Sequence, residues 1–188
     1  MKTKFIIALM VLAFVSCTKE KQAETKSETK QEQTKTHGQA GVAAVEGEDP
    51  NVLQVAISLP DFSTLVAAVQ AAGVEDALVN AGPLTVFAPL NSAFAKLPEG
   101  TVETLVKPES KETLTMILIN HVAPANYPIK QLKKEAKKGR KLYMASGKYL
   151  VVENKDGEIY VGGTKILKSV KVSNGWIHVI DDVLVPAE

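Results

Sequence analysis

Gly82 to Pro98 reads GPLTVFAPLNSAFAKLP. Leu84-Thr85-Val86-Phe87 is a short β-type run that Pro89 stops, because Pro cannot donate to a sheet ladder. Asn91 or Ser92 then caps a brief helical turn carrying Ala93 and Phe94. Pro98, Glu99 and Gly100 punctuate the chain again. The stretch therefore reads as strand, sharp break, helical turn, and it divides the chain into two unlike halves.

On its N-terminal side the apolar period is helical. Asp49-Pro50 reads as an N-cap followed by Pro at the first helical position, and Val52, Val55, Ala56 and Leu59 share one face. Asp61 is placed to cap a second helix whose core positions are Leu65, Val66, Ala68 and Val69, with Gly73 at its end. Val74–Val79 is a third, short helix, and Gly82-Pro83 breaks it. Beyond the central stretch, Thr101–Val106 is again helical. Pro108-Glu109 opens a longer helix in which Leu114, Ile117, Leu118 and His121 recur at i, i+3, i+4 and i+7.

The C-terminal side changes period. Lys141–Met144, Tyr149–Glu153, Glu158–Val161, Lys165–Val172, Trp176–Ile180 and Val183–Val185 read as strands. Asp156-Gly157 and Asn174-Gly175 are strong hairpin signals, since both place turn-forming residues between alternating runs. Helices first and strands after argue an α+β class. There is no internal repeat.

The chain has 188 residues, of which 45% are hydrophobic and only 5% aromatic, a net charge of +1 and one Cys. That apolar fraction suits a folded domain. The near-zero charge excludes a strongly basic nucleic-acid coating protein, and no nucleic-acid partner is expected. A lone Cys excludes an intrachain disulfide framework and any multi-Cys metal site.

Residues 1–16, MKTKFIIALMVLAFVS, place Lys2 and Lys4 before an unbroken apolar run from Phe5 to Val15. The run is too short to span a membrane and suits the core of a secretory signal. It ends in Ser16-Cys17, which resembles the lipobox of bacterial lipoproteins, with Phe14 where Leu is usual. The resemblance implies that the signal is cut before Cys17 and that its thiol is diacylated. Each buried methylene contributes roughly 0.8 kcal/mol, so two or more chains anchor stably. Loss of the signal lowers the net charge by two, so the precursor's slight basicity says nothing about partners. Residues 18–36, TKEKQAETKSETKQEQTKT, hold no aliphatic side chain larger than Ala and cannot offset the entropy of ordering. With the Gly-containing stretch to residue 48 they form a tether of roughly 30 Å root-mean-square span. The expected organisation is a signal over 1–16, a lipidated Cys17 and tether over 17–48, and one domain over 49–187.

Together with GPLTVFAPLNSAFAKLP, two further stretches carry a family resemblance. Asn174 to Pro186 reads NGWIHVIDDVLVP, and between the two lies ILINHVAP, Ile117–Pro124. In this order and spacing they resemble the two signature boxes and the central histidine box of the fasciclin domain family. The resemblance implies a wedge-shaped β-sandwich of about seven strands with a flanking helical layer. It also implies an adhesion or ligand-binding role without catalysis, here lipid-anchored to a bacterial cell envelope, at the outer membrane facing the periplasm or cell surface. The family's central box marks Asn120 and His121 as candidate ligand contacts. Where the family often has Tyr directly before the His, this chain has Asn120, so integrin-type recognition is not carried over.

Read on their own residues, the two histidines of the domain are hydrogen-bonded structural groups. Neither lies at HxxxH or HxH spacing, and His178 alternates with Trp176 and Ile180. Asp181 and Asp182 point to opposite faces of an extended segment and make poor joint ligands. No nucleophile–base set, GxSxG context or phosphate loop is present, so no enzyme activity, cofactor or metal is expected. Residues 130–141, KQLKKEAKKGRK, hold Lys130, Lys133, Lys134, Lys137, Lys138, Arg140 and Lys141 against one acid, Glu135. This is a candidate contact for an anionic polysaccharide or other polymer. It favours, as the alternative function, a structural or matrix-interaction protein. With no aromatic inside the segment, no stacking component is expected.

Overall fold

The computed structural model of the chain describes residues 49–80 and 82–185. The signal, Cys17 and the tether to residue 48 lie outside the described residues. The helical half runs α1 (Val52–Ser58), a 3-10 turn (Pro60–Phe62), α2 (Ser63–Ala72) and α3 (Glu75–Asn80). After β1 (Leu84–Pro89) come α4 (Asn91–Phe94), α5 (Thr101–Leu105), a second 3-10 turn (Pro108–Ser110), α6 (Lys111–Asn120), β2 (Val122–Ala123) and α7 (Ile129–Lys137). Five strands finish the domain: β3 (Lys141–Tyr143), β4 (Tyr149–Lys155), β5 (Glu158–Val161), β6 (Thr164–Val172) and β7 (Gly175–Ile180).

The α+β class, the seven strands and the helical layer are those expected. The strands form one hydrogen-bonded sheet in the order β2-β1-β7-β6-β5-β4-β3. β1 lies parallel to β7, with Phe87 beside His178, while the other neighbours are antiparallel. Every residue of β1 is buried, as a central strand covered on both faces requires. Its one hydroxyl, on Thr85, donates to the Ala125 carbonyl at 2.7 Å and accepts from the Tyr127 N–H at 2.9 Å. The sheet curls until its two ends nearly meet. Past β3, the N–H of Ala145 donates to the carbonyl of Val122 in β2 at 2.7 Å.

Two apolar clusters follow from the strand alternation. Val86, Ala88, Ile177 and Val179 face α1, α2 and α6, meeting Val52, Leu53, Leu65, Leu114 and Leu118. Phe87 and Ile180 face the other way, into the curl, with Leu142, Met144, Val152, Ile159 and Val161. Helix α7 closes that side with Leu132, and Leu184 joins it from the C-terminal segment.

Asn174 ties the two halves together. Its side chain accepts from the Val52 N–H at the start of α1 and donates to the Leu78 carbonyl of α3. Its backbone carbonyl accepts from Leu84. Gly175 follows with φ +150°, and a Cβ there would stand 1.8 Å from the Leu84 carbonyl oxygen. No other residue fits a backbone approach this close. The Asn174-Gly175 signal thus gives the expected hairpin, with Ser173-Asn174 as its loop and Gly175 already in β7. Asp156-Gly157 is a two-residue hairpin loop with φ +54° and +89°, both left-handed as the turn demands.

Several local expectations are corrected. α1 is capped by Asn51, not Asp49: Asn51 accepts from the Gln54 N–H, and Gln54 returns a bond to the Asn51 N–H, both 2.9 Å. Asp61 falls inside a 3-10 turn, so it does not cap α2. Asn91 does not cap its own turn but accepts from the Thr64 N–H in the first turn of α2, at 3.0 Å. Val183–Val185 is not a strand, and the strand β2 and helix α7 were not expected.

Candidate functional site

Asn120 ends α6 and His121 caps it, which turns both side chains inward. Asn120 is fully buried and His121 is 3% exposed. Both hold the same residue of the C-terminal segment. The Asn120 amide donates to the Leu184 carbonyl at 2.9 Å, and the Leu184 N–H donates to His121 Nε2 at 2.9 Å. His121 Nδ1–H donates to the Ile117 carbonyl at 2.8 Å, one turn back, which fixes the tautomer. The Ser146 hydroxyl donates to Asn120 Oδ1 at 2.8 Å. Burial pushes the imidazole down to about 4, and its bond to Ile117 offsets that only partly. The structure thus places Asn120 and His121, the candidate ligand contacts of the central box, inside the domain. Their polar atoms are engaged within the domain and serve as a staple.

His178 is also fully buried. Its Nε2–H donates to the Tyr127 carbonyl at 2.7 Å, and its Nδ1 accepts from the Ser169 hydroxyl at 2.7 Å. Its ring lies between Phe87, at 5.5 Å, and Trp176, at 6.4 Å. Burial lowers its pKa also. This is the structural histidine that the alternation implied. Among the described residues, no three His, Cys, Asp or Glu side chains are grouped to hold a metal.

The basic segment is placed differently from the histidines. Ile129, Leu132 and Ala136 pack α7 onto the core, so Lys130, Lys133, Lys134 and Lys137, spaced i, i+3, i+4 and i+7, form the outer face of one helix. They and Lys138, Arg140 and Lys141 are all exposed. Glu135, the lone acid, is buried. It accepts from Gln131 and lies 3.7 Å from Arg140.

The absence of aromatics from this segment is not the whole picture. Lys141 opens β3, and two residues on Tyr143 stands opposite Tyr149 of β4. The rings are 5.4 Å apart and tilted by 59°, and both are exposed, Tyr149 by 63%. Val151, opposite Lys141, is exposed on the same face. The signal was present as two tyrosines six residues apart across a Ser-Gly turn, and only the register reveals that they touch.

A family model described as Fasciclin domain matches residues 60–186. The chain belongs to the fasciclin domain family. Protein sll1483 of Synechocystis sp. is 45% identical over 136 residues, 72% of this chain and 73% of that protein. Immunogenic protein MPB70 of Mycobacterium bovis is 34% identical over 157 residues, covering 78% and 75%. Transforming growth factor-beta-induced protein ig-h3 of Sus scrofa is 32% identical over 139 residues, 72% of this chain but only 20% of that protein. Among solved structures, the FAS1 domain pair of the insect cell adhesion molecule Fasciclin I matches with a TM-score of 0.64 at 24% identity. It covers 74% of this chain and 52% of the pair, so this chain spans about half of it. That likeness gives the fasciclin fold to the helices and curled sheet described above.

Proposed function

We propose that this fasciclin domain is an envelope-anchored recognition module that binds a protein or polysaccharide and performs no catalysis. Lipidation of Cys17 would anchor it and residues 18–48 would carry the domain clear of the bilayer. The family supports an adhesion role, since a fasciclin domain pair belongs to a cell adhesion molecule. Both domain histidines are committed to internal hydrogen bonds, which leaves recognition to the outer surface.

The observation that carries the reading further is the run of exposed cations from Lys130 to Lys141, whose last member, Lys141, shares the outer face of β3 and β4 with the exposed pair Tyr143 and Tyr149. It favours an anionic polysaccharide as the ligand. Lysines supply attraction to carboxylate or sulfate groups, and exposed rings give sugar faces an apolar surface. Two measurements test the proposal. Cells expressing Cys17→Ser should release the protein from membranes. A glycan and protein array probed with the released chain should give acidic glycans above neutral ones. Retention of Cys17→Ser on salt-washed membranes would overturn the anchor, and equal signal from neutral glycans would overturn the polysaccharide reading.

A further inference from the structure

Between the helical layer and the sheet lies a cavity of about 200 Å³. Val52, Leu53 and Ala56 of α1, Leu78 of α3, Val86 of β1 and Ile177 of β7 are among its walls. A second cavity, of about 150 Å³, lies on the far side of Leu65, Leu118 and His121, which line both. We propose that the larger cavity binds an uncharged hydrocarbon group, aromatic or aliphatic, free or as the end of a longer molecule. The site is independent of the surface reading above.

Three observations select this chemistry. The walls are apolar except for His121, and both its nitrogens are already bonded, one to the Ile117 carbonyl and one to the Leu184 N–H. Among the described residues, no buried side-chain nitrogen or oxygen lacks a partner. A water deep in the cavity would find no free side-chain donor or acceptor to bind, which favours an apolar occupant. For the same reason a charged or strongly polar ligand would lose its hydration without compensation. The volume also matches: an apolar cavity of about 150 Å³ lined by Leu, Ile and Phe side chains takes up benzene. The walls reach solvent at Ala77, Pro124 and Ala145, which are exposed, so the site has a surface rim.

The test uses the full chain carrying Cys17→Ser, so that no acyl group of its own competes. Benzene and n-hexane are the aromatic and aliphatic probes, and benzoate is the charged control. Binding to the folded state raises the unfolding temperature. Benzene or n-hexane should raise it saturably and move amide resonances of α1, α3, β1 and β7. Benzoate should do neither. Ala56→Phe fills the cavity from α1 and should abolish the response, and Ala88→Leu does so from β1 should the first variant not fold. The wild-type comparison decides by itself if neither filler folds. The proposal is overturned if neither hydrocarbon acts, if benzoate acts equally, or if a folded filler variant responds like the parent.

Discussion

His121 accepts the backbone N–H of Leu184 through Nε2 at 2.9 Å, while its neighbour Asn120 donates to the carbonyl of that same residue. Two side chains thus do for the C-terminal segment what a strand neighbour does in a ladder. They satisfy one donor and one acceptor of a buried residue, and Leu184 then fills the core inside the curl.

His121→Ala or Asn120→Ala leaves one of those backbone groups buried and unpaired. Each substitution should cost about 1–3 kcal/mol. Urea unfolding of the variants measures it. A change indistinguishable from a surface substitution would remove the staple from the account.

The same geometry sets a pH dependence. The folded pKa of His121 is lowered from 6.5 to about 4, so between those values the unfolded chain binds the proton and the folded chain does not. Stability is then full above pH 6.5, falls as pH drops through the window, and levels below about 4. At about 1.4 kcal/mol per unit the loss comes to about 3–4 kcal/mol. His178 is shifted in the same direction and adds to it. Urea midpoints from pH 7 to 4 should fall, and His121→Gln should flatten the slope. An unchanged slope in that variant would assign the effect to other groups.

Asn91 sits in α4 yet serves α2. It accepts from the Thr64 N–H and donates to the Pro60 carbonyl and the Ser63 hydroxyl, each at 3.0 Å. Asn91→Ala should destabilise by about 1 kcal/mol, as loss of a cap does, and hydrogen exchange should speed first at Thr64. Protection that falls evenly across the domain would argue against a local cap.

If α7 and the tyrosine pair bind acidic polysaccharide, the two parts should separate experimentally. Replacing Lys133, Lys134, Lys137 and Lys138 with Gln should remove the salt-dependent component, since exposed charges are screened beyond about 8 Å at 0.15 M salt. Tyr143→Ser with Tyr149→Ser should weaken binding by a similar amount at every salt concentration. The fold should survive the lysine changes within about 0.5 kcal/mol. Binding insensitive to salt, or unaltered in the four-Gln variant, would leave α7 a solvated face.

Much of the fold was legible because its signals are local. Alternation and two-residue turns located the strand starts Glu158 and Lys141, and the i, i+3, i+4 spacing of Leu114, Ile117 and Leu118 located α6. Helix α7 was hidden by its own surface: Ile129, Leu132 and Ala136 are its apolar side, and the lysines between them read as a charge run. Val183–Val185 has strand composition, but side chains rather than a neighbouring strand hold Leu184, and no local pattern encodes that. The site was legible only in part. Exposure of all seven cations agrees with a surface run. The burial of Asn120 and His121, the pairing of Tyr143 with Tyr149 and the cap given by Asn91 to α2 all depend on contacts between distant parts of the chain.

The parallel pairing of β1 with β7 has a consequence for how the chain comes into being. Among the described residues β7 is the last strand in sequence, yet it stands in the sheet between β1 and β6. Until Ile180 has emerged, β1 has only the two residues of β2 to pair with, and the helical layer lacks Ile177 and Val179 to pack against. Contacts this far apart in sequence form late. A chain still on the ribosome therefore lacks the central pairing of its sheet. A chain ending ahead of Gly175 would lose the middle of the sheet rather than its edge.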